Sequence, residues 1–301
     1  MLLRGLVPGF NSLPANVRGI FFMLASTILF ATSHGIIRHV SVDIHPFEIA
    51  FFRNMFGFLL LAPLILRSHG GLLQTRRLPL HLLRALLNAA AMLLFFMALA
   101  TAPLAEVTAL GFAAPVFATI LAIPMLGEKV GIRRWLAILA GFVGAMIILR
   151  PGVQAISGGA MAAFASAGIW AIVLILIKRL GRTESALTIS AYMVTLVMPL
   201  SLIPALFVWT WPSLSDIPWL IAIGVLGTIG QTLVAQALKW GDAQVVMPME
   251  FIRLIWIAMI GYVVFAEVPT VFTWIGSTIV VASASYIAYR ESRKSPGKDQ
   301  V

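Results

Sequence analysis

The sequence predicts an all-α membrane protein of ten transmembrane helices, arranged as two inverted five-helix repeats. Three observations carry that expectation. Over 301 residues the chain is 60% hydrophobic and 11% charged, with a mean hydropathy of +1.00, whereas a soluble domain carries roughly 25% charged residues. Apolar stretches of helix length follow one another from Gly19 to Ala288 with only short polar breaks. The chain also aligns on itself when shifted by about half its length.

Taking roughly 20 residues as the length of a span, helices are expected over 18–38, 47–66, 80–101, 103–126, 131–150, 158–178, 185–209, 216–239, 243–265 and 270–290. The first long apolar run is followed by Arg38 and His39 rather than by a small-residue cleavage site, so it reads as a retained helix and not as a signal peptide. Connections such as Thr101-Ala102-Pro103 leave no room for a soluble domain.

Seventeen of the 21 Lys and Arg residues fall on one side of these spans. Arg38 and Arg150 fall on the other, and Arg53 and Arg253 lie inside helices. By the positive-inside rule this places both termini in the cytoplasm and fits an even number of helices. The same clustering explains the net charge of +10: the basic residues sit in short loops rather than in a stripe interleaved with aromatics, so nucleic-acid binding is not expected. There is no cysteine, which excludes disulfides, thiolate metal sites and cysteine-based catalysis.

A shift of 139 residues sets Ala98-Leu99 on Ala237-Leu238, Glu128 on Glu267 and Trp135 on Trp274. A shift of 140 sets Gly19 on Gly159, Ala25-Ser26 on Ala165-Ser166 and Arg38 on Lys178. The expected units are therefore residues 18–150 and 158–290, flanked by cytoplasmic tails over 1–17 and 291–301. Five helices is an odd number, so the second copy enters from the opposite face. Inverted repeats of this kind place a substrate site near the bilayer midplane, between the halves.

Motifs for metal, nucleotide or acyl chemistry are missing: there is no His-Glu-x-x-His helix, Asp-rich motif, Walker loop or Gly-x-Ser-x-Gly elbow. No catalytic residue, metal site or cofactor is expected. Gly224, Gly227 and Gly230, like Gly141 and Gly144, read as small residues that let helices approach.

An ionisable group at the centre of a span costs roughly 2.5–3.5 kcal/mol on insertion scales, so each one present is a candidate for function. Most of the eleven carboxylates, Glu267 among them, stand at or near helix ends, where capping or solvation is the expected role, which leaves Glu48, Glu106 and Glu250. Glu250 and Arg253 are three apart on the ninth helix and share a face, with Pro248 just before them. They are the first candidates for contact with a substrate, the alternative being a structural ion pair. Glu106 stands one turn into the fourth helix, followed by Thr108, Gly111 and Pro115. Under the 139 shift Gly111 falls on Glu250 and Ala114 on Arg253, so one half offers charge where the other offers space. Arg53, beside Asn54 and five residues past Glu48, either attracts an anion or snorkels outward. Phe112, Trp170, Tyr192 and Trp256 are candidates to stack on a ring-containing substrate, and His34 is a candidate proton relay or a structural histidine. Trp135, Trp209, Trp211, Trp219 and Trp274 fit an interfacial belt.

Several runs resemble the drug/metabolite transporter superfamily, and within it the ten-helix EamA-type members. These are Pro46-Phe47-Glu48-Ile49-Ala50-Phe51-Phe52-Arg53, Ala102-Pro103-Leu104-Ala105-Glu106-Val107-Thr108-Ala109, Leu126-Gly127-Glu128-Lys129, Pro248-Met249-Glu250-Phe251 and Phe265-Ala266-Glu267-Val268-Pro269. The resemblance implies secondary transport by alternating access in the bacterial inner membrane, through a central cavity lined by both halves. Within the superfamily the chain is similar to uptake transporters for riboflavin and for S-adenosylmethionine. The latter pattern carries its charges reversed at Glu250 and Arg253, which favours riboflavin; amino-acid exporters share the scaffold. The implied partners are a small-molecule substrate and the lipid bilayer, with monomer and homodimer both open. A membrane-embedded lipid-modifying enzyme is the alternative from another class, and it would need clustered carboxylates or a metal motif.

Overall fold

A computed structural model describes residues 13–67, 74–114, 116–118, 120–121, 132–149, 157–180, 183–184, 186–241 and 246–292. The described residues are helical or lie in short connections. The helices are α1 (Ala15–Val40), α2 (Pro46–Arg67), α3 (Leu78–Thr101), α4 (Leu104–Gly111), α5 (Ile132–Leu149), α6 (Gly158–Leu180), α7 (Ala186–Leu206), α8 (Ile217–Trp240), a 3₁₀ segment (Met247–Ile252), α9 (Arg253–Phe265) and α10 (Val271–Ser292). Five of them, α1, α2, α3, α6 and α8, are long and apolar enough to cross a membrane.

Helix starts follow local chemistry. Proline opens α2 and stands in the first turn of α3, α8 and the 3₁₀ segment, where its missing N–H costs nothing. His45 precedes α2, and its Nδ1 accepts the Phe47 N–H at 3.2 Å. Burial pushes the His45 pKa below the ordinary histidine value, which keeps that nitrogen an acceptor. Pro63 in α2 and Pro199 and Pro204 in α7 lie within helices; in a membrane bundle, neighbouring helices and local adjustments satisfy the carbonyls they free.

Two expected helices are not continuous. The fourth, expected over 103–126, is regular to Gly111, turns at Phe112 and Ala113, where Ala113 N–H bonds the Leu110 carbonyl three residues back at 3.0 Å, and is helical again at 114, 116–118 and 120–121. The ninth, expected over 243–265, runs through the 3₁₀ segment before α9 begins at Arg253. Pro248 stands in the first turn of this segment, and a short 3₁₀ stretch of this kind marks an irregular point in the helix. The parts of these expectations at 115, 119, 122–126 and 243–245 lie outside the described residues, as do Glu128, Arg150 and the tails 1–12 and 293–301.

Helix α1 packs along α8 and against α9, while α3 packs along α6 and α7. Helix α2 lies on α7 and α8, α4 on α6 and α9, and α5 on α10. One continuous buried cluster joins these helices, including Ile37, Ile49, Leu99, Leu104, Leu110, Ile148, Leu220 and Ile257. Large apolar residues such as Leu60, Leu83, Leu86, Leu139, Ile255 and Val263 face outward, as they do when hydrocarbon replaces water around a bundle.

Helices α5 and α10 cross in close contact at two glycines. A Cβ on Gly276 would stand 2.5 Å from Ile148 Cγ1 and 2.6 Å from the Gly144 carbonyl oxygen, and one on Gly144 would stand 2.8 Å from the Gly276 carbonyl oxygen. Backbone lies on both sides, so no rotamer change makes room. Gly276→Val is therefore expected to cost about 3 kcal/mol by overpacking, read as a lower thermal midpoint in detergent; an unchanged midpoint would contradict this crossing.

Candidate functional site

The breaks in the fourth and ninth helices face each other. Phe112 at the end of α4 and Phe251 in the 3₁₀ segment meet edge to face, with ring centroids 4.9 Å apart. The two are 139 residues apart, so a residue and its counterpart in the other half touch directly. Around this contact the ionisable groups gather.

Glu250 sits in the 3₁₀ segment and Arg253 opens α9. In a 3₁₀ turn, residues three apart eclipse one another, which aligns the two side chains: Arg253 Nη2 lies 3.4 Å from Glu250 Oε1. The arginine side chain is 16% exposed and the glutamate 31%, so the pair is reachable without being on the surface. The Arg253 guanidinium also lies 5.1 Å from the Phe112 ring centre and 5.8 Å from that of Phe30, within cation–π range. Its Nε is buried without a hydrogen-bond partner, as is the indole Nε1 of half-buried Trp256, one turn on along α9.

His34 on α1 packs on Phe95 at 5.2 Å and tilts towards Phe30 at 6.5 Å. It lies within electrostatic reach of both Arg253 and Arg53, and its Nδ1 has no partner. Arg53 on α2 reaches across to α8, where its Nε lies 3.2 Å from the position a Cβ on Gly227 would take. Its Nη1 donates to Asn54 Oδ1 at 3.3 Å and points at Met92 Sδ at 3.6 Å. Gly230, one turn further, is faced in the same way by the Phe30 ring at 3.2–3.3 Å. The α8 glycines thus clear the space that Arg53 and Phe30 occupy, which spacing alone had suggested only as general helix packing.

The other sequence candidates lie elsewhere. Glu106 lines a small cleft at the opposite end of α4, with Pro103, Gly261, Glu267 and Thr270. Tyr192 stacks on His81 with centroids 4.3 Å apart. His81 is fully buried and lies near Arg84, which is 1% exposed and donates to the Ile189 carbonyl at 2.8 Å. Trp170 is half-buried on α6, with no ring or polar contact among the described residues. Glu48 does not pair with Arg53; its Oε1 accepts the Thr210 N–H at 3.1 Å and the Thr210 hydroxyl at 3.2 Å, which pins the α7–α8 connection to the start of α2.

Sequence reasoning missed Phe30 and Phe95, which looked like ordinary apolar residues. It also assigned Glu267 only to helix capping or solvation. Glu267 does cap, with Oε2 accepting the Leu104 N–H at 2.8 Å, but its Oε1 also lies 3.3 Å from Arg38 Nη2. Arg38 donates further to the carbonyls of Leu99 and Ala100. One end of the bundle is tied by this network, which joins the end of α1, the α3–α4 connection and the end of α9. The 139 and 140 shifts had set Glu267 on Glu128 and Arg38 on Lys178 without relating the two pairs.

Comparison with known proteins agrees with this architecture. The chain is 31% identical over 286 residues to a riboflavin transporter of Vibrio cholerae, covering 93% of this chain and 95% of that protein. It is 27% identical over 290 residues to an S-adenosylmethionine uptake transporter of Rickettsia prowazekii, covering 96% and 99%. A crystal structure of a protein with 19% identity superposes with a TM-score of 0.59 over 93% of this chain and 98% of that one, a likeness of fold. Residues 17–150 and 157–289 each match the EamA-like transporter family. With its apolar bundle and its few charges drawn to the facing helix breaks, the chain is a multi-pass membrane transporter, not an enzyme, and it belongs to the EamA-like transporter family.

Proposed function

We propose that the chain is a secondary transporter that moves a small polar, heteroaromatic metabolite across the bacterial inner membrane by alternating access, with riboflavin uptake as the leading reading. The observation that carries it is the Glu250–Arg253 pair, framed by Phe30 and Phe112 and reached by Arg53, where the two halves break opposite each other. Aromatic faces and a partly neutralised charge pair suit a ring bearing polar groups. The names of similar proteins support a riboflavin substrate, and for S-adenosylmethionine the names alone argue.

Ten helices in two inverted repeats, over 18–150 and 158–290, remain the preferred architecture. Packing supports it: α1 on α8 is matched by α6 on α3, α2 on α8 by α7 on α3, and α1 on α9 by α6 on α4. Each match exchanges the two halves. The pairs α2–α7, α4–α9 and α5–α10 map onto themselves, as a two-fold axis between the repeats requires. Alternating access then means that the halves close one end of the central site while the other opens, and the Arg38–Glu267 network is the closed end on the side assigned to the periplasm.

Uptake into vesicles tests the function, with riboflavin, S-adenosylmethionine and aromatic amino acids offered in turn. Saturable riboflavin uptake is expected, and movement of none of them would refute the substrate class. For topology, reporters fused after Arg293 or inserted between Gly70 and Arg76 should report cytoplasm, and one near Asp216 periplasm. A reversed result at any site would overturn the orientation.

A further inference from the structure

Arg53 is the one site residue whose charge goes unanswered. It stands about two turns inside α2, at a depth where an ionised side chain is costly, yet among the described residues it has no carboxylate within ion-pair distance. Its polar contacts are the Asn54 amide oxygen and the Met92 sulfur, both through Nη1. Nε and Nη2 make no hydrogen bond among the described residues, and their edge faces the bare backbone of Gly227, where any larger residue would crowd the guanidinium. Glu48, the nearest acid in sequence, is committed to Thr210. Arg253 has its counter-ion in Glu250. With two guanidinium groups and one carboxylate, the fixed charges around His34 sum to positive.

We propose that Arg53 is the specificity-determining residue of this central site: its unpaired guanidinium receives the anionic or carbonyl-bearing end of an aromatic substrate and turns cations away. The inference rests on the transport reading above and deepens it. A planar fork of N–H donors matches carboxylate or phosphate, and by the same geometry two adjacent acceptors on a ring edge. A neutral isoalloxazine ring, with a carbonyl oxygen beside an unprotonated ring nitrogen on one edge, meets that requirement. A sulfonium compound with net positive charge would place its cation among unneutralised arginine charge. The site thus separates by charge the two substrate types for which similar proteins are named.

Matched flavins test this directly. The purified full chain is titrated with riboflavin and with two isoalloxazines whose N10 tails are of equal length, one ending in a carboxylate and the other in an ammonium, and binding is read by flavin fluorescence. Indole-3-acetate and tryptamine form a second pair, read by thermal shift. The parent is expected to favour each anion over its cation by at least ~tenfold, the scale of one hydrogen bond to a charged group. Arg53→Gln should shrink that ratio towards unity, and Arg53→Lys should keep part of it. Both glutamine and the more apolar Arg53→Met reduce buried charge, so either can serve as the folded, charge-free variant. If riboflavin binds but the charge ratio is absent, or survives Arg53→Gln and Arg53→Met, the role of Arg53 is refuted while the transport reading stands. If neither ring system binds the parent, the central site fails as an aromatic site and this inference falls with it.

Discussion

Glu250→Gln is expected to abolish transport or reduce it to a small fraction of the parental rate, with the protein still inserted and folded. The substitution removes a charge from a mostly apolar bundle, so insertion improves slightly, but Arg253 loses its counter-ion beside Phe112 and Phe30. Arg253→Ala has the larger effect on stability. It leaves Glu250 either charged without a partner or protonated, and it removes the cation from two aromatic faces. Breaking a fully buried pair costs about 3–5 kcal/mol; with the glutamate 31% exposed, solvent screening lowers the expectation to roughly 2 kcal/mol. The double variant separates two roles. A structural pair recovers both stability and transport when both charges leave together, whereas a substrate-contacting pair recovers stability without transport. Thermal unfolding in detergent and uptake into vesicles read the two quantities, and a double variant that transports at the parental rate removes the pair from the mechanism.

The site was legible in the sequence to the extent that its cost was. Glu250, Arg253 and Arg53 stand out because charge within an apolar span needs a reason, and Pro248 marks the irregular backbone beside them. Phe30 and Phe95 carry no such mark: among 19 phenylalanines, only packing shows which ones face Arg253 and His34. The turn at Phe112 and Ala113 was equally hidden, since the run from Ala109 to Ala118 around it is uniformly apolar. Tyr192 illustrates a different limit. It is the counterpart of Arg53 under the 139 shift, yet it stacks on His81 beside a buried arginine, so related positions hold different chemistry and the repeat does not carry function across. Glu267 was underestimated because a carboxylate just past a helix end reads as solvated, and its partner Arg38 lies more than two hundred residues away.

The absence of native cysteine makes the Arg38–Glu267 network directly measurable. Ala258 on α9 is 8% exposed and lines the cleft beside Glu267, so in Ala258→Cys a membrane-impermeant maleimide reports how often that end opens. Glu267→Gln loses the ion pair at 3.3 Å but keeps an oxygen for the Leu104 N–H; Glu267→Ala loses both. Labelling should therefore quicken in the order parent, Gln, Ala. The alanine variant is expected to be at least ~tenfold faster, since a hydrogen bond and a charge pair together contribute more than about 1.4 kcal/mol to the closed arrangement. A charge swap, Arg38→Glu with Glu267→Arg, sharpens the argument. If attraction alone held this end, the swap would restore slow labelling. The structure predicts that it will not, because an acid at 38 would face the Leu99 and Ala100 carbonyls, and an arginine at 267 has no acceptor for the Leu104 N–H. Parental labelling rates in Glu267→Ala would mean that the network does not hold this end closed, and slow labelling in the swapped protein would reduce it to a simple ion pair.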